Sequence, residues 1–511
     1  MKIRLKSAIA PTILAGILFF LNYFAFGAEN TMIAPFAVLA FLRFRTISNH
    51  YECMLKTWAI FLLMAAAAFL AAVNLPLCII VNAAALFWLA YRLIDEYNPT
   101  NYFPYGMALI FFQISPESTV KGLGIRLLAI TVSLGVIFLF VLLLSVRKKD
   151  KNPICSYIRE GLTVSGALLY AYLENHTTDS DALHQELCSL NKKISGEIHT
   201  YNRASVSLAG KINWYCRYVV LFQVINYYTT QPYEEETFLR VCSIYNRFFC
   251  LFENRKPTAD YHRLDFRNAA PTVHAFRFRF ALRLVCIVTP CMVFAYLAPL
   301  ENAYWLVISV FFMMIPVYEN TKTRIRQRMT GTFFGILLCF VLFSIFQAFP
   351  GRSAVMLAAN FFIYASSNYS VTVAFITCSA LAISTIDTVV SVVLLQRIFY
   401  TAAGALIAFL GNKFVFPIHT AVEMKHLMER LDDIRENLVS VDEQTFSCED
   451  ERYHRIDELI IKAYLLMKRL QTYYDSLPEP EKTDAFLQYE RDYMLFMGGF
   501  LMDHLVEKSQ S

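Results

Sequence analysis

The sequence predicts an all-α integral membrane protein with two parallel repeats, each of about six transmembrane helices followed by a cytoplasmic helical domain. Three observations support this fold class. Only 17% of the residues are charged, whereas about a quarter are charged in a typical soluble protein. Apolar segments as long as a membrane span alternate with charged blocks. A Glu-Asn pair after the first apolar segment and an arginine within the last one also recur in the two halves, at almost the same spacing.

Six apolar segments form the first predicted transmembrane bundle. A helix needs roughly 20 apolar residues to cross the hydrocarbon core of a bilayer. The second, fourth and fifth segments are short for a full crossing, and paired short segments point to the substrate site of a transporter. The first segment also resembles a signal peptide, but its counterpart deep inside the chain favours a retained helix. The segments are about 7–26, 30–42, 57–74, 76–91, 102–114 and 122–146.

The second bundle repeats this pattern after a charged block. Its segments are about 281–298, 303–317, 331–349, 353–366, 371–386 and 388–410. In the charged blocks, apolar residues recur at three- and four-residue spacing, which predicts small helical bundles. The predicted domains are a first transmembrane bundle, a cytoplasmic helical domain, a second transmembrane bundle and a C-terminal cytoplasmic helical domain. Their bounds are 1–147, 148–274, 275–417 and 418–511.

Basic residues set the predicted orientation. Cytoplasmic loops of membrane proteins are enriched in Lys and Arg. With both termini in the cytoplasm, the first inner loop of the second half carries the basic cluster Arg324, Arg326 and Arg328. This cluster is a topology anchor that could also attract anions. Because each half has an even number of crossings, the halves are predicted to be parallel repeats.

Two features mark the internal repeat. The pairs Glu29-Asn30 and Glu301-Asn302 follow the first crossing of each half and lie 272 residues apart. Arg126 and Arg397 lie in the last crossing of each half, 271 residues apart. A period this long indicates duplicated domains rather than a solenoid. The two asparagines are predicted to cap the helices that follow them.

Several function classes lack support in the sequence. There is no GxxxxGK[ST] phosphate-binding loop and no zinc-like spacing of Cys and His. Basic residues adjoin apolar segments instead of lining one soluble face, so nucleic acid is not expected as a partner. We expect a protein embedded in lipid, without cofactor, metal or enzymatic activity. Its 12 cysteines are expected to be reduced packing residues.

Residues 275–417 carry the motifs of a known family. They begin with Phe276-Arg-Phe-Arg-Phe-Ala-Leu-Arg283 and continue with Tyr304-Trp305, Arg328-Met-Thr-Gly331-Thr332, Gly335, Gln396-Arg397, Gly404 and Pro417. This order resembles the fusaric acid resistance and aromatic acid exporter family of bacterial inner-membrane proteins. The first half departs from the pattern, with Trp58-Ala59 where the family has Gly-Thr. A fainter likeness links the chain to plant aluminium-activated malate transporters.

The resemblance implies efflux of aromatic carboxylic acids across the bacterial inner membrane, driven by the proton gradient. It also implies a small organic anion as substrate and a periplasmic adaptor protein as partner. Arg283, Tyr304 and Trp305 become candidates for the substrate path. The alternatives are a passive organic-anion channel and a non-transport scaffold or envelope-assembly protein, and the oligomeric state, including a homo-oligomer, stays open.

Two arginines are the main candidates for anion binding. Arg397 lies near the predicted middle of its crossing, where a charge costs roughly 2.5–3.5 kcal/mol even on the mildest scale. An arginine binds a carboxylate through two parallel hydrogen bonds. Arg397 and, less directly, Arg126 are therefore predicted to line the anion path. The alternative for both is a structural arginine that joins two helices through a carboxylate or backbone carbonyls.

Three acids are candidates for proton coupling. A proton-coupled exporter needs a carboxylate that titrates as access alternates, and Glu301, Glu29 and Asp387 lie near the outer ends of crossings. Each is alternatively an interfacial acid in contact with solvent.

Three glycines are predicted to pack helices. Gly331 and Gly335 form a GxxxG motif, which allows close contact between helix backbones. Gly404 is expected to pack in the same way.

Overall fold

The computed structural model shows an almost entirely helical chain, and the residues that it describes contain no β-strand. The all-α fold class is therefore confirmed. The described residues are 5–44, 50–94, 101–146, 153–174, 177–202, 209–230, 232–254, 276–298, 300, 302–315, 319–366, 368–384, 390–417, 419–443, 449–477, 484–490, 492–493, 496–497 and 500.

Six helices in the first half follow the predicted apolar segments closely. They are α1 (Leu5–Phe26), α2 (Ile33–Phe44), α3 (His50–Val73), α4 (Leu75–Leu93), α5 (Phe103–Ile114) and α6 (Val120–Val146). Asn74 starts α4 because its Oδ1 accepts the Leu77 N–H at 2.9 Å. Pro76 fits the first turn of α4, where a backbone N–H would have no partner within the helix.

The rest of the chain continues as helices of similar length. They are α7 (Pro153–Leu173), α8 (Thr177–Asn202), α9 (Ala209–Tyr228), α10 (Glu235–Glu253), α11 (Phe276–Leu297), α12 (Tyr304–Met313), α13 (Glu319–Ile345), α14 (Phe349–Ala365), α15 (Tyr369–Ser384), α16 (Val390–Phe414), α17 (Thr420–Glu443) and α18 (Glu449–Ser476).

The chain divides into two compact units. The first unit contains both predicted transmembrane bundles, and the second contains both charged blocks. The first comprises Met1–Thr46, Cys53–Arg147 and Pro271–Val422; the second comprises Ile47–Glu52, Lys148–Ala270 and Glu423–Ser511.

Seven helices of the first unit are long and apolar enough to cross a membrane, judged by length and composition. They contain the spans Ser7–Phe26, Met54–Val73, Leu75–Leu93, Val120–Leu144, Arg277–Leu297, Thr321–Ile345 and Val390–Phe414. Shorter apolar helices are Ala28–Leu42, Phe103–Ile114, Tyr304–Met313 and Tyr369–Ala382. The chain is therefore a multi-pass membrane protein, while the total of about twelve crossings stays a prediction.

The two halves pack against each other within the first unit. Helix α1 contacts α14, and α11 contacts α4, so the first helix of each half meets the fourth helix of the other. The short helices α5 and α12 also meet, because Gly106 leaves room for the ring of Phe311. The Tyr102 hydroxyl donates to the Met314 carbonyl at 2.8 Å, which joins the start of α5 to the end of α12.

Helices α13 and α15 touch along a line of small residues, here called the α13–α15 seam. A Cβ added at Gly331 would lie 2.4 Å from the Ser370 carbonyl oxygen, and one added at Gly335 would lie 2.6 Å from the Ala374 oxygen. The next step of the seam pairs Cys339 with Cys378. Each contact advances four residues along both helices, so the helices run in the same direction with their backbones almost touching.

Two local predictions are wrong. The basic cluster does not lie in a loop, because α13 begins at Glu319. The helical period then separates its members: Arg326 is exposed, whereas Arg328 is buried. Neither asparagine caps the following helix. Asn30 Nδ2 donates to the Phe26 carbonyl at 2.9 Å, and Asn302 precedes Ala303, the residue at the cap position of α12.

The second unit has its own apolar core. Helices α7–α10 bury residues such as Leu168, Tyr218 and Phe222. The C-terminal part is held by tyrosine hydroxyls. Tyr493 donates to the Leu431 carbonyl, and Tyr489 contacts Asp432 on α17. The cytoplasmic placement of this unit stays a prediction.

We predict that Gly335→Ala destabilises the first unit. The new methyl group would lie 2.6 Å from a backbone oxygen and 2.9 Å from Thr377 Cβ, and overpacking of this kind costs about 1–3 kcal/mol. The matched control is Gly135→Ala on α6, where an added Cβ meets no atom within 4 Å. Thermal unfolding in detergent should show a lower midpoint for Gly335→Ala only. Equal midpoints would mean that the seam is not tightly packed.

Candidate functional site

Arg126 in α6 is fully engaged by its surroundings. Its Nε donates to Asn30 Oδ1 at 3.2 Å, its Nη1 to the Phe112 carbonyl at 3.1 Å and its Nη2 to the Ser115 carbonyl at 2.8 Å. Glu117 adds an ion pair at 3.0 Å. The last carbonyls of a helix have no partner within it, so Arg126 satisfies the end of α5. These contacts favour the structural alternative for this arginine.

Arg283 in α11 has the same kind of environment. Its Nε donates to the carbonyls of Val415 and Phe416 at 3.0 and 3.2 Å, and its Nη2 to Phe416 at 2.6 Å. Its Nη1 donates to Asn412 Oδ1 at 3.1 Å and to the Ile315 carbonyl at 3.4 Å. Arg283 therefore joins the ends of α12 and α16.

Arg397 in α16 differs from both. It is 5% exposed, and its guanidinium carbon lies 5.1 Å from the centre of the Trp305 ring. Among the residues that the structure describes, its buried Nε has no hydrogen-bond partner. The neighbouring Gln396 accepts from Asn302 Nδ2 at 2.9 Å, which fixes the start of α12 against α16. Trp305 and the adjacent Tyr304 are half-buried.

Two arginines at the start of α13 contact aromatic rings of α15 and α12. The guanidinium carbon of Arg324 lies 3.4 Å from the centre of the Tyr369 ring. Arg328, which is 3% exposed, donates from Nη1 to the Tyr369 hydroxyl at 3.3 Å and lies 4.8 Å from the Phe312 ring. Tyr369, at the start of α15, thus contacts both arginines of α13.

Arg352, near the start of α14, is a buried arginine that the sequence reasoning missed. It is 3% exposed, and its guanidinium carbon lies 3.7 Å from the centre of the Phe343 ring. The predicted crossing begins one residue later, at 353, so Arg352 looked like an interfacial residue. A lone arginine just outside a short apolar segment was the available signal.

Four of these arginines form a continuous group, here called the basic column: Arg324, Arg328, Arg397 and Arg352. Arg324 and Arg328 lie close enough for their charges to repel, and so do Arg328 and Arg397. Arg397 and Arg352 both lie close enough to the Cys339 sulfur to attract its thiolate. The column therefore runs through the second half from the start of α13 to the start of α14.

Buried hydroxyl groups accompany the basic column. Among the described residues of the second transmembrane bundle (275–417), the side-chain oxygens of Thr289, Ser309, Ser353 and Thr401 are buried and have no hydrogen-bond partner. Gly404 brings Ser309 close, since an added Cβ would lie 2.7 Å from the Ser309 Cβ.

The first transmembrane bundle (1–147) has no such unsatisfied groups among its described residues. There, Asn22 donates to Ser133 at 3.0 Å and Asn82 to Gln113 at 3.1 Å. Buried polar groups are normally hydrogen-bonded, so the second half is the place where a polar ligand or water fits.

The charge balance of the second half points the same way. Residues 276–417 contain ten Arg and Lys residues but three acids, Glu301, Glu319 and Asp387. The described side chains of α11–α16 include no carboxylate. The basic column can therefore hold an anion in a region of low dielectric.

Of the predicted proton-coupling acids, Glu29 lies among the described residues and is exposed, whereas Glu301 and Asp387 lie outside them. Glu117, which the sequence reasoning did not single out, has a side chain 12% exposed and is paired to Arg126.

Comparisons with known proteins concern mainly the second half. Residues 290–411 match the model of a family described as fusaric acid resistance protein-like, which confirms the resemblance inferred from the motifs of this region. No solved structure matches the chain.

Three relatives are uncharacterized bacterial proteins. One from Haemophilus influenzae is 28% identical over 145 residues, 27% of this chain and 20% of that protein. One from a Synechocystis strain is 32% identical over 129 residues, 24% of this chain and 17% of that protein. One from Neisseria gonorrhoeae is 27% identical over 143 residues, 27% of this chain and 34% of that protein. The aligned part of the chain thus spans only 17% to 34% of these relatives' length.

We predict opposite stability effects for two buried arginines. Arg283→Met leaves several buried carbonyls without a donor, at about 1–3 kcal/mol each, so the unfolding midpoint should fall. Arg397→Met removes a buried charge that has no described counter-ion, so without added anions the midpoint should stay equal or rise. Thermal unfolding in detergent measures both. A fall for Arg397→Met as large as for Arg283→Met would show that Arg397 is a structural arginine.

Proposed function

Starting from the match of residues 290–411 to a fusaric acid resistance-like family, we propose that this protein is a membrane transporter that exports small organic anions. Aromatic carboxylic acids are the proposed substrates, and the basic column is the proposed path. The observation that carries the proposal is the buried charge of Arg397, which has no ion-pair partner among the described residues. A charge at membrane depth costs at least about 2.5 kcal/mol, and a bound carboxylate would offset that cost.

The surroundings of Arg397 suit an aromatic carboxylate. The guanidinium can bind the carboxylate through two parallel hydrogen bonds. The Trp305 ring, 5.1 Å away, offers an apolar face to the aromatic part of the substrate, and Tyr304 stands beside it. Hydroxyl groups of Ser309 and Thr401 lack described partners and would accept or donate to polar substituents.

Two of the arginines predicted to line the anion path have a structural role in this proposal. Arg126 and Arg283 donate to backbone carbonyls at helix ends, so we assign them to the framework rather than to the path. The two halves are proposed to be parallel repeats, because α1 meets α14 as α11 meets α4. The first half supports the path, and the second half contains it.

The proposed orientation places the termini and the second unit in the bacterial cytoplasm. Arg324, Arg328 and Tyr369 then lie at the inner end of the path, and Arg352 lies at the outer end. A stacked Tyr369 that must move aside would act as an inner gate. A periplasmic adaptor protein is the proposed partner at the outer side.

Proton coupling needs an acid that changes its charge during the cycle. Glu29, Glu301 and Asp387 remain the proposed candidates, and Glu117 joins them because its partner Arg126 holds α5 and α6 together. Protonation of Glu117 would remove one of the contacts of Arg126 and loosen this connection.

A passive anion channel is the second candidate function. The basic column is a row of fixed positive charges with no carboxylate among the described side chains of α11–α16. Such a row favours the permeation of anions even without coupling to protons. A scaffold or envelope-assembly role is the third, and it has no need for unsatisfied buried arginines.

We predict that Arg397→Gln lowers the flux of 4-hydroxybenzoate in proteoliposomes about tenfold or more. Hydrogen bonds to charged groups contribute about 1.5–3 kcal/mol, which corresponds to that loss. The matched control, Arg326→Gln, removes an exposed arginine from α13 and should keep its flux. Wild-type liposomes without any anion flux would refute both transport functions.

We predict that the flux follows the pH gradient. An exporter driven by protons should lose its flux when an ionophore collapses the pH gradient at constant voltage. Flux that persists and follows voltage alone would instead establish the channel. Glu117→Gln keeps a hydrogen-bonding side chain beside Arg126 and tests whether this acid carries the coupling.

A further inference from the structure

Two cysteines lie beside the basic column and have no role in the proposed transport. Cys339 on α13 and Cys378 on α15 are both 0% exposed, and their thiols are hydrogen-bonded to each other. They belong to an apolar cluster that also contains Phe343 and Leu381.

The two thiols meet because they continue the α13–α15 seam. Gly331 and Gly335 bring α13 against the backbone oxygens of Ser370 and Ala374. Cys339 comes one step after Gly335, as its partner comes one step after Ala374. A disulfide needs Cα atoms about 4.4–6.8 Å apart, and helices that touch across glycine approach each other closely enough for such distances.

The charges near the pair favour thiol chemistry. The hydrogen bond between the two thiols, with Cys339 as the donor, favours the thiolate at Cys378, and the charge of Arg352 acts on both sulfurs. The thiolate is the nucleophilic form of cysteine, and neighbouring arginines promote it. Cys78 on α4 provides a contrast, since this buried thiol is hydrogen-bonded to Asn82 instead of to a second cysteine.

We propose that Cys339 and Cys378 form a redox-modification site that a small hydroperoxide oxidises to a disulfide linking α13 to α15. Hydrogen peroxide suits the site because it is neutral and little larger than water. The buried hydroxyls of Ser353 and Thr401 near the column offer it polar contacts. Larger disulfide oxidants cannot touch thiols that are fully covered.

The reaction balances with one peroxide. The Cys378 thiolate attacks one peroxide oxygen, the O–O bond breaks, and the proton lost from Cys378 combines with the departing hydroxide as water, which gives a sulfenic acid. The Cys339 sulfur then attacks that sulfenic sulfur, the S–O bond breaks, and the hydroxide departs with the Cys339 proton as a second water. Two thiols and one H₂O₂ thus become one disulfide and two waters.

The effect on transport rests on the proposed function. A disulfide would fix α13 to α15 between Arg352 and Arg397. Because alternating access requires helices to move, we infer that oxidation stops anion flux and that a reductant restores it.

The modification itself is tested on the full chain in membranes, without any transport assay. Membranes are treated with hydrogen peroxide, denatured in SDS, and blocked with N-ethylmaleimide before digestion and mass spectrometry. We expect a pair of peptides joined by a disulfide between Cys339 and Cys378. The same joined pair should form in the control variant Cys78→Ser. In Cys339→Ser the linked pair must vanish. Recovery of both cysteines as maleimide adducts, at a peroxide level that oxidises the exposed Cys250, would overturn the proposal.

A flux measurement tests the regulation separately. Peroxide should lower 4-hydroxybenzoate flux at least fivefold in wild-type proteoliposomes, and dithiothreitol should restore it. Flux through Cys339→Ser should resist peroxide. Disulfide formation with unchanged flux would overturn the regulatory role alone. If the wild-type protein shows no flux before oxidation, the proposed function is refuted, and the mass-spectrometric result still decides whether the thiol site exists.

Discussion

A guanidinium buried among apolar helices needs hydrogen-bond acceptors, and the buried arginines of this chain differ in whether the fold supplies them. Arg126 and Arg283 donate to backbone carbonyls at the ends of helices. Short helices such as α5 and α12 end within the bundle, where their last carbonyls require donors. The short helix and the arginine thus stabilise each other. Arg397 Nε has no such acceptor among the described residues, and this difference is the reason we propose Arg397 as the anion site.

The positions of the membrane helices could be predicted well because hydropathy decides them. Segment 122–146 corresponds to α6 (Val120–Val146), and 7–26 to α1. The start of α13 could not be predicted in this way. Its first turns are rich in charged residues, and only the burial of Arg328 against Phe312 and Tyr369 shows why they are helical.

The sequence identifies Arg126 and Arg397 as notable residues, but it does not distinguish a structural arginine from one that could bind an anion. Arg126 and Arg397 lie 271 residues apart, at positions that the predicted repeat would make equivalent, and carry the same charge. Their difference depends on Glu117 and on the end of α5, which are brought to Arg126 by the fold. The thiol pair was hidden for the same reason, since Cys339 and Cys378 meet only through the register of two helices.

That register also limits how the bundle can move. The two glycine contacts between α13 and α15 repeat after four residues. A screw motion of one residue would place Thr332 and Ile336 where the glycines leave room only for hydrogen. A shift of four residues, about 6 Å along the helix axis, meets the same obstacle, because Gln327 or Cys339 would then take the place of a glycine. Any longitudinal motion between these two helices therefore requires their backbones to separate first.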